Sequence, residues 1–232
     1  MRLLRIPGVY GPGRDSELLA GVVPDSVRAG ERVLDLFAGS GILAVEAALA
    51  GAGEVHAVDV SRRAVAAVAV NSALNGARVQ VRRGEMFQPL GERLYDVILA
   101  NPPFVPSEDD GPAAGPARAW EAGPDGRRFL DPLLEAAPER LRPGGRLLVV
   151  HSSLCGEATT LDALADAGLE AEVVVRESAP LGPITAPRAA ALRRRGLLAP
   201  GEELEETIVV RATMPAVVSA VREPSRPAAL AA

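Results

Sequence analysis

Arg32-Val33-Leu34-Asp35-Leu36-Phe37-Ala38-Gly39-Ser40-Gly41 is a short apolar run that breaks into a glycine turn. The run has the length and branched composition of a buried strand, and the period changes immediately behind it. Ile42, Val45, Ala48 and Leu49 fall on one face of a helix, and Gly51 closes that helix. A strand that ends in Gly39-x-Gly41 and opens a helix lets the backbone turn tightly and approach a ligand closely. A plain turn or a dinucleotide site would read the same way, and Ala44 stands where a dinucleotide fingerprint has its third glycine.

Outward from this block the alternation repeats. Glu54 to Val58 reads as a second strand that stops at Asp59. Ser61 caps a helix on which Val65, Val68 and Leu74 recur, and Asn75-Gly76 ends it. Arg78 to Arg82 predicts a third strand, and Tyr95 to Ala100 a fourth, nearly all apolar as a central parallel strand should be. A helix from about Leu130 to Leu141 follows, and Pro143-Gly144-Gly145 turns the chain into a fifth strand, Arg146 to Val150. A helix near Glu157 to Ala167 leads to a sixth strand at Ala171 to Val175, and the seventh is Thr207 to Arg211. This order predicts an α/β fold: a Rossmann-like, seven-stranded, mainly parallel sheet with helices on both faces. No ordinary helical crossover joins the last two strands, so they should form an antiparallel edge pair.

The 232 residues suit one domain. It is expected over residues 1–214, with 1–30 as a leading segment, 177–206 as a candidate substrate lid or insertion, and 215–232 as a disordered tail. Aromatic residues make up 3% of the chain, so the core must be aliphatic. The net charge of −5 argues against a general duplex-binding surface. The single cysteine, Cys155, excludes an internal disulfide and a cysteine-based zinc site, and reads as a small packing residue. Two histidines without a matched acidic cluster point to no metal. His56 reads as structural, whereas His151, at the end of the fifth strand, is a candidate for acceptor contact. Met1 to Pro7 is too short and too interrupted by Arg for a signal peptide, and no apolar run is long enough to span a bilayer. A cytoplasmic protein is expected.

Two groups of residues carry chemistry. Asp59 ends the second strand 18 residues after Gly41, where a carboxylate can accept from vicinal ribose hydroxyls. Its bland reading is an Asp at a helix N-terminus. Glu85, after the third strand, can accept from an exocyclic amine, with Met86 or Phe87 packed on a ring; Phe87 reads equally well as core. Phe37 and Val60 flank the same turn and strand end and join Asp35, Gly39, Gly41, Asp59, Glu85 and Met86 as nucleotide-end candidates. The second group is Asn101-Pro102-Pro103-Phe104, at the carboxyl end of the fourth strand, the edge at which open parallel sheets bind ligands. A planar nitrogen delocalises its lone pair and attacks poorly unless acceptors hold its N–H groups. Asn101 offers a side-chain carbonyl, Pro102 a backbone carbonyl made rigid by the Pro-Pro step, and Phe104 a flat apolar face.

On these residues the chain resembles the class I S-adenosylmethionine-dependent methyltransferases that modify amide and amino nitrogens. Within them it is similar to the HemK-like glutamine N5-methyltransferases of peptide-chain release factors. Val9-Tyr10-x-Pro12-x-x-Asp15-Ser16-x-x-Leu19 and Ala119-Trp120-x-x-Gly123-Pro124-Asp125-Gly126-Arg127 extend the resemblance to that family's compact branch. The resemblance implies that Asp35, Gly39 and Gly41 line the donor's methionine moiety, that Asp59 holds the ribose and Glu85 the adenine amine. It also implies that Asn101 and Pro102 accept from the target amide, with Tyr10 and Asp15 near the donor's methionine end or the substrate mouth. Here Glu85 stands where the family more often has Asp, and Phe104 where it more often has Tyr. The chain leaves no room for the N-terminal helical domain of the larger bacterial members. The implied partner is a protein of release-factor type. Three other readings stand beside it: a small-molecule methyltransferase with residues 177–206 as lid, an adenine-N6 methyltransferase for which Arg193, Arg194 and Arg195 would be the support, and a non-catalytic donor-binding module.

Overall fold

The computed structural model describes residues 1–108, 110–111 and 113–216. The expected tail lies, from residue 217 on, outside the described residues. One seven-stranded sheet runs β3-β2-β1-β4-β5-β7-β6. Its strands are β1 (Arg32–Leu36), β2 (Glu54–Asp59), β3 (Gln80–Arg83), β4 (Tyr95–Ala100), β5 (Leu141–Ser152), β6 (Glu170–Pro180) and β7 (Leu204–Thr213). The first five pair in parallel, while β7 is antiparallel to both β5 and β6. The expected Rossmann-like architecture and antiparallel edge pair are what the chain adopts.

Helices cover both faces. On one side lie α1 (Arg14–Ser26), α2 (Ile42–Leu49) and α3 (Arg62–Leu74). Leu19, Val23, Leu43, Ala44 and Val68 from these helices pack on Val33, Val55, Leu99 and Leu148. On the other side α4 (Leu130–Ala136) and α5 (Glu157–Asp166) bring Leu130, Leu133, Leu134 and Leu164 onto Leu34, Leu36, Ile98 and Leu147. Alternate residues of each central strand therefore serve opposite cores, which is why these strands read as continuous apolar runs. Each buried Leu or Val contributes about 1.5–3 kcal/mol of transfer free energy, so this two-sided burial is the main force holding the sheet.

Several boundaries differ from the sequence reading. β3 starts at Gln80 rather than Arg78 and is largely exposed, as an edge strand. The helix expected to reach Leu141 stops at Ala136, because Pro138 opens a 3-10 turn (Pro138–Arg140). Pro143-Gly144-Gly145 does not lie before β5 but inside it, at a shift in pairing between Tyr95 and Val97. The largest change is at the far edge: β6 and β7 are about twice as long as expected, pairing from Glu170↔Thr213 to Pro180↔Leu204. Their outer ends hold only exposed and half-buried residues and leave no apolar run to read. The segment 177–206 thus begins and ends in the hairpin, and residues 181–203, most of its length, leave the sheet, folding into a 3-10 turn (Ala186–Arg188) and α6 (Ala189–Arg194). Ala189, Leu192 and Leu198 form a small separate cluster with Leu154.

Helix α1 was not anticipated. Its buried residues Ser16, Leu19, Ala20, Val23 and Ser26 follow the helical period, but three are small or polar and Pro24 sits in the last turn. Ser61 caps α3 as expected, accepting from the Ala64 N–H at 3.3 Å.

Candidate active site

The order β2-β1-β4 places the switch point of the sheet between β1 and β4. Register pairs Leu36 with Ala100, so Phe37 and Asn101 leave their strands side by side. The glycine turn and the Asn101–Phe104 loop are therefore neighbours at one edge.

In the turn, Phe37, Gly39 and Gly41 have φ of 58°, 51° and 83°. Gly41 caps α2, and a Cβ there would lie 3.0 Å from the Val68 Cα, so the position needs glycine for conformation and for space. A Cβ on Gly39 would lie 3.8 Å from the Tyr10 carbonyl, which places the Tyr10 segment alongside the turn. Asp59 Oδ2 accepts from the Gly39 N–H at 2.9 Å, and Oδ1 from the Ser61 N–H at 2.8 Å. Burial raises the Asp59 pKa, and these two hydrogen bonds lower it in part. One carboxylate thus holds both the turn after β1 and the residue that caps α3.

Asp35 is fully buried, and its Oδ2 accepts from the Ala44 N–H at 3.0 Å. Its Oδ1 is buried with no partner among the described residues. Burial pushes its pKa well above the usual carboxylate range. An orphaned carboxylate oxygen behind a glycine cradle suits a cationic donor such as S-adenosylmethionine, and Asp59 keeps lone pairs for ribose hydroxyls. The residues present fit that group. Val60 is exposed beside Asp59, and Glu85 is exposed on the turn after β3. Met86, at φ 44°, is half-buried against the core, while Phe87 lies within the core under the Arg140 guanidinium.

In the Asn101–Phe104 loop Pro102 is buried, and Asn101, Pro103 and Phe104 are half-buried. Asn101 Nδ2 donates to Asp15 Oδ2 at 2.7 Å and to Ser16 Oγ at 2.9 Å. The Phe104 carbonyl accepts from Cys155 Sγ at 3.2 Å, and a Cβ on Gly126 would lie 2.3 Å from that carbonyl. Cys155 is buried, which pushes its thiol up to about 12, so it packs and supports the loop rather than reacts.

Sequence reasoning quoted Arg127 within the Ala119–Arg127 stretch but gave it no role. It is buried, pairs with Asp131, and donates to the Cys155 carbonyl at 2.6 Å and to Thr160 Oγ1 at 3.0 Å. It ties the loop after β4 to α4 and to the start of α5. A lone Arg in a glycine-rich stretch gives no signal of this. His151 is the opposite case: the structure buries it completely, with Nδ1–H donating to the Ser152 carbonyl, so it does not present itself to an acceptor. His56 is structural as expected, 2.8 Å from the Tyr95 hydroxyl.

The chain has one Trp, two Tyr and four Phe, and most of these rings gather here. Phe37 meets Phe129 edge-on at 6.1 Å, Tyr10 lies 6.1 Å from Trp120, and Phe104 closes the loop. Arg193 donates to the Glu202 carbonyl and Arg195 to the Ser107 carbonyl, so two of the three consecutive arginines serve local structure. No helix among the described residues is long and apolar enough to cross a membrane.

Residues 1–117 match the family model of the methyltransferase small domain. A Methanocaldococcus jannaschii protein named as an N5-glutamine methyltransferase is 33% identical over 175 residues, which is 75% of this chain and 87% of that protein. The release factor glutamine methyltransferase of Geobacter sulfurreducens is 36% identical over 62% of this chain and 53% of its own length, so the chain spans about half of that relative. Among solved structures, the E. cuniculi Mtq2–Trm112 complex, responsible for the methylation of the eRF1 translation termination factor, shares the fold. Its TM-score is 0.62 at 18% identity, covering 89% of this chain and 99% of that one. With its strand order, its glycine turn and its Asn101–Phe104 loop, the chain belongs to the methyltransferase small domain family, on the HemK-like branch of the class I S-adenosylmethionine-dependent methyltransferases.

Proposed function

We propose that this protein methylates the side-chain amide nitrogen of a glutamine in a cytoplasmic protein of release-factor type, with S-adenosylmethionine as donor. One observation carries the reading: the Leu36↔Ala100 register brings the Asn101–Phe104 loop beside the glycine turn. The named activities of the relatives agree with it.

When bound, the donor would supply an electrophilic sulfonium methyl for the amide nitrogen, which gives up one N–H proton to solvent as the methyl leaves the sulfur. Asp35, Gly39 and Gly41 would hold its methionine end, Asp59 the ribose, Glu85 the adenine amine, with Phe37, Val60 and Met86 packed around them. The rest is positioning. Asn101 Oδ1 and the Pro102 carbonyl accept the two amide hydrogens and aim the nitrogen lone pair at the methyl carbon. Pro103 stiffens the carbonyl, and Phe104 offers the flat face on which the planar amide lies. Tyr10 and Asp15 stand at the mouth. Positioning of this kind is worth roughly 7–11 kcal/mol of barrier.

Residues 1–214 act as one catalytic domain in this reading, with 181–203 as a wall on the acceptor side. The test is transfer from labelled S-adenosylmethionine to a purified release factor, with a small-molecule extract in parallel and mass spectrometry as readout. Label on a glutamine, lost in Asn101→Ala while donor affinity stays within a few-fold, is the expected result. Label only in the extract would move the protein to metabolite methylation.

A further inference from the structure

We propose that Asp15 and Ser16 are positioning residues that lock the Asn101 amide in the one orientation that can catalyse. The proposal rests on the amide-methylation reading and adds what selects the working face of Asn101.

An asparagine amide has two ends of nearly the same shape and opposite chemistry. Turned one way, Asn101 offers a carbonyl oxygen to an incoming N–H. Turned the other way, it offers its own N–H groups, which repel the acceptor's. Packing alone discriminates poorly between these states, so hydrogen-bond partners must decide. A carboxylate only accepts. Asp15 Oδ2, 2.7 Å from Asn101 Nδ2, therefore selects the state with nitrogen toward α1, and flipping would set oxygen against oxygen. Ser16 Oγ, at 2.9 Å, takes the second hydrogen of the same nitrogen. With both Nδ2 hydrogens held, Oδ1 is the end left for the acceptor.

The lock is built into rigid structure. Asp15 and Ser16 lie in the first turn of α1, which Leu19 and Val23, both fully buried, fix against the sheet. Ser16 is itself buried. Arg14, the residue before Asp15, forms an exposed ion pair with Glu177 of β6 at 2.5 Å. Gly13 leaves the space: a Cβ there would lie 2.6 Å from Asp15 Oδ1. The resemblance set Asp15 near the donor's methionine end or the mouth, whereas the geometry gives it a task on the acceptor side.

The decisive experiment exchanges the polarity of the pair. Asn101→Asp alone faces one carboxylate with another and should lower kcat by more than about 100-fold. The double variant D15N/N101D restores a donor and an acceptor: Asn at position 15 donates to Asp at position 101, whose second oxygen still accepts the substrate N–H. It should recover at least about 10-fold in kcat over N101D, with donor affinity unchanged. Asp15→Leu, which cannot accept, should lose about 10–100-fold in kcat with little change in the donor's KM. Independently of turnover, the Asn101 side-chain amide protons should be deshielded and slow to exchange by NMR in the wild type, and not in Asp15→Leu. No recovery in the double variant, with intact fold and donor binding, or an Asn101 amide signal indifferent to Asp15, would overturn the lock. If no variant, wild type included, methylates a glutamine peptide, the acceptor assignment fails, while the NMR comparison still decides the lock.

Discussion

Asp59 Oδ2 accepts from the Gly39 N–H at 2.9 Å, so the last residue of β2 holds the turn that follows β1. The same carboxylate closes the start of α3 through the Ser61 N–H at 2.8 Å. Charge-assisted bonds of this kind are worth about 1.5–3 kcal/mol each where they are partly buried. Asp59→Ala removes both and also the ribose acceptor, so donor Kd should rise by about 10–100-fold. Asp59→Asn keeps one acceptor and should fall between. Titration calorimetry with the donor measures this, and an unchanged Kd in Asp59→Ala would end the ribose assignment.

Asp35 is the buried acid of the site, with Oδ1 unpartnered and its pKa raised by burial. A carboxyl raised in the fold contributes stability below its unfolded pKa and loses that contribution as pH rises through the folded value. A cationic donor bound beside it would favour the charged form and pull the pKa back down. At any pH where Asp35 carries its proton in the free protein, donor binding should then release protons. The binding enthalpy should vary with the ionisation enthalpy of the buffer, and the variation should vanish in Asp35→Asn, which keeps the bond to the Ala44 N–H. A buffer-independent enthalpy in the wild type would mean that Asp35 does not sense the donor's charge.

The central strands β1, β2 and β4 were legible because they are buried on both faces and end in punctuation: Gly39-x-Gly41, Asp59, Asn101-Pro102. Glycine and proline report backbone demands directly, and these same positions build the site. The rest was hidden for physical reasons. β6 and β7 extend outward by pairing with each other, Glu177 with Thr207 and Ala179 with Glu205, and backbone pairing leaves no trace in hydropathy. Helix α1 buries Ser16 and Ser26 among its apolar residues, which blunts its stripe. Arg127 and His151 are polar residues buried by tertiary context, one as a clamp and one as a neutral ring, and sequence alone assigned the first no role and left the second only a candidate for acceptor contact.

His151 makes acid stability a test of the fold. Burial lowers its pKa to about 4 from 6.5, ahead of a smaller opposing effect from the Ser152 carbonyl. The neutral ring is the folded form, and the unfolded chain binds the proton more readily. Stability from this group is complete above about pH 6.5 and is lost as pH falls to about 4, on the order of 3 kcal/mol in all. His56, whose pKa burial also lowers, adds in the same direction. His151→Leu should flatten part of the loss between those two pH values in urea unfolding curves. An acid limb identical to wild type would show that His151 is not kept neutral by the fold.

Arg188 joins the extension beyond β6 to the loop that follows Asn101. Its guanidinium pairs with Glu121 and donates to the Pro106 carbonyl at 3.1 Å. Arg195 adds a bond to the Ser107 carbonyl at 3.0 Å. Both partners of the ion pair are partly shielded, so the contact should survive physiological salt better than a surface pair. If residues 181–203 form the acceptor wall, Arg188→Ala should loosen that wall without touching the donor. Acceptor KM should rise by about 10-fold, donor Kd should stay the same, and hydrogen exchange should quicken across residues 105–107 and 186–195 together. Glu121→Gln, which keeps a hydrogen bond but not the charge, should give a smaller rise. Faster exchange with unchanged acceptor KM would leave the segment a structural brace and remove it from the acceptor site.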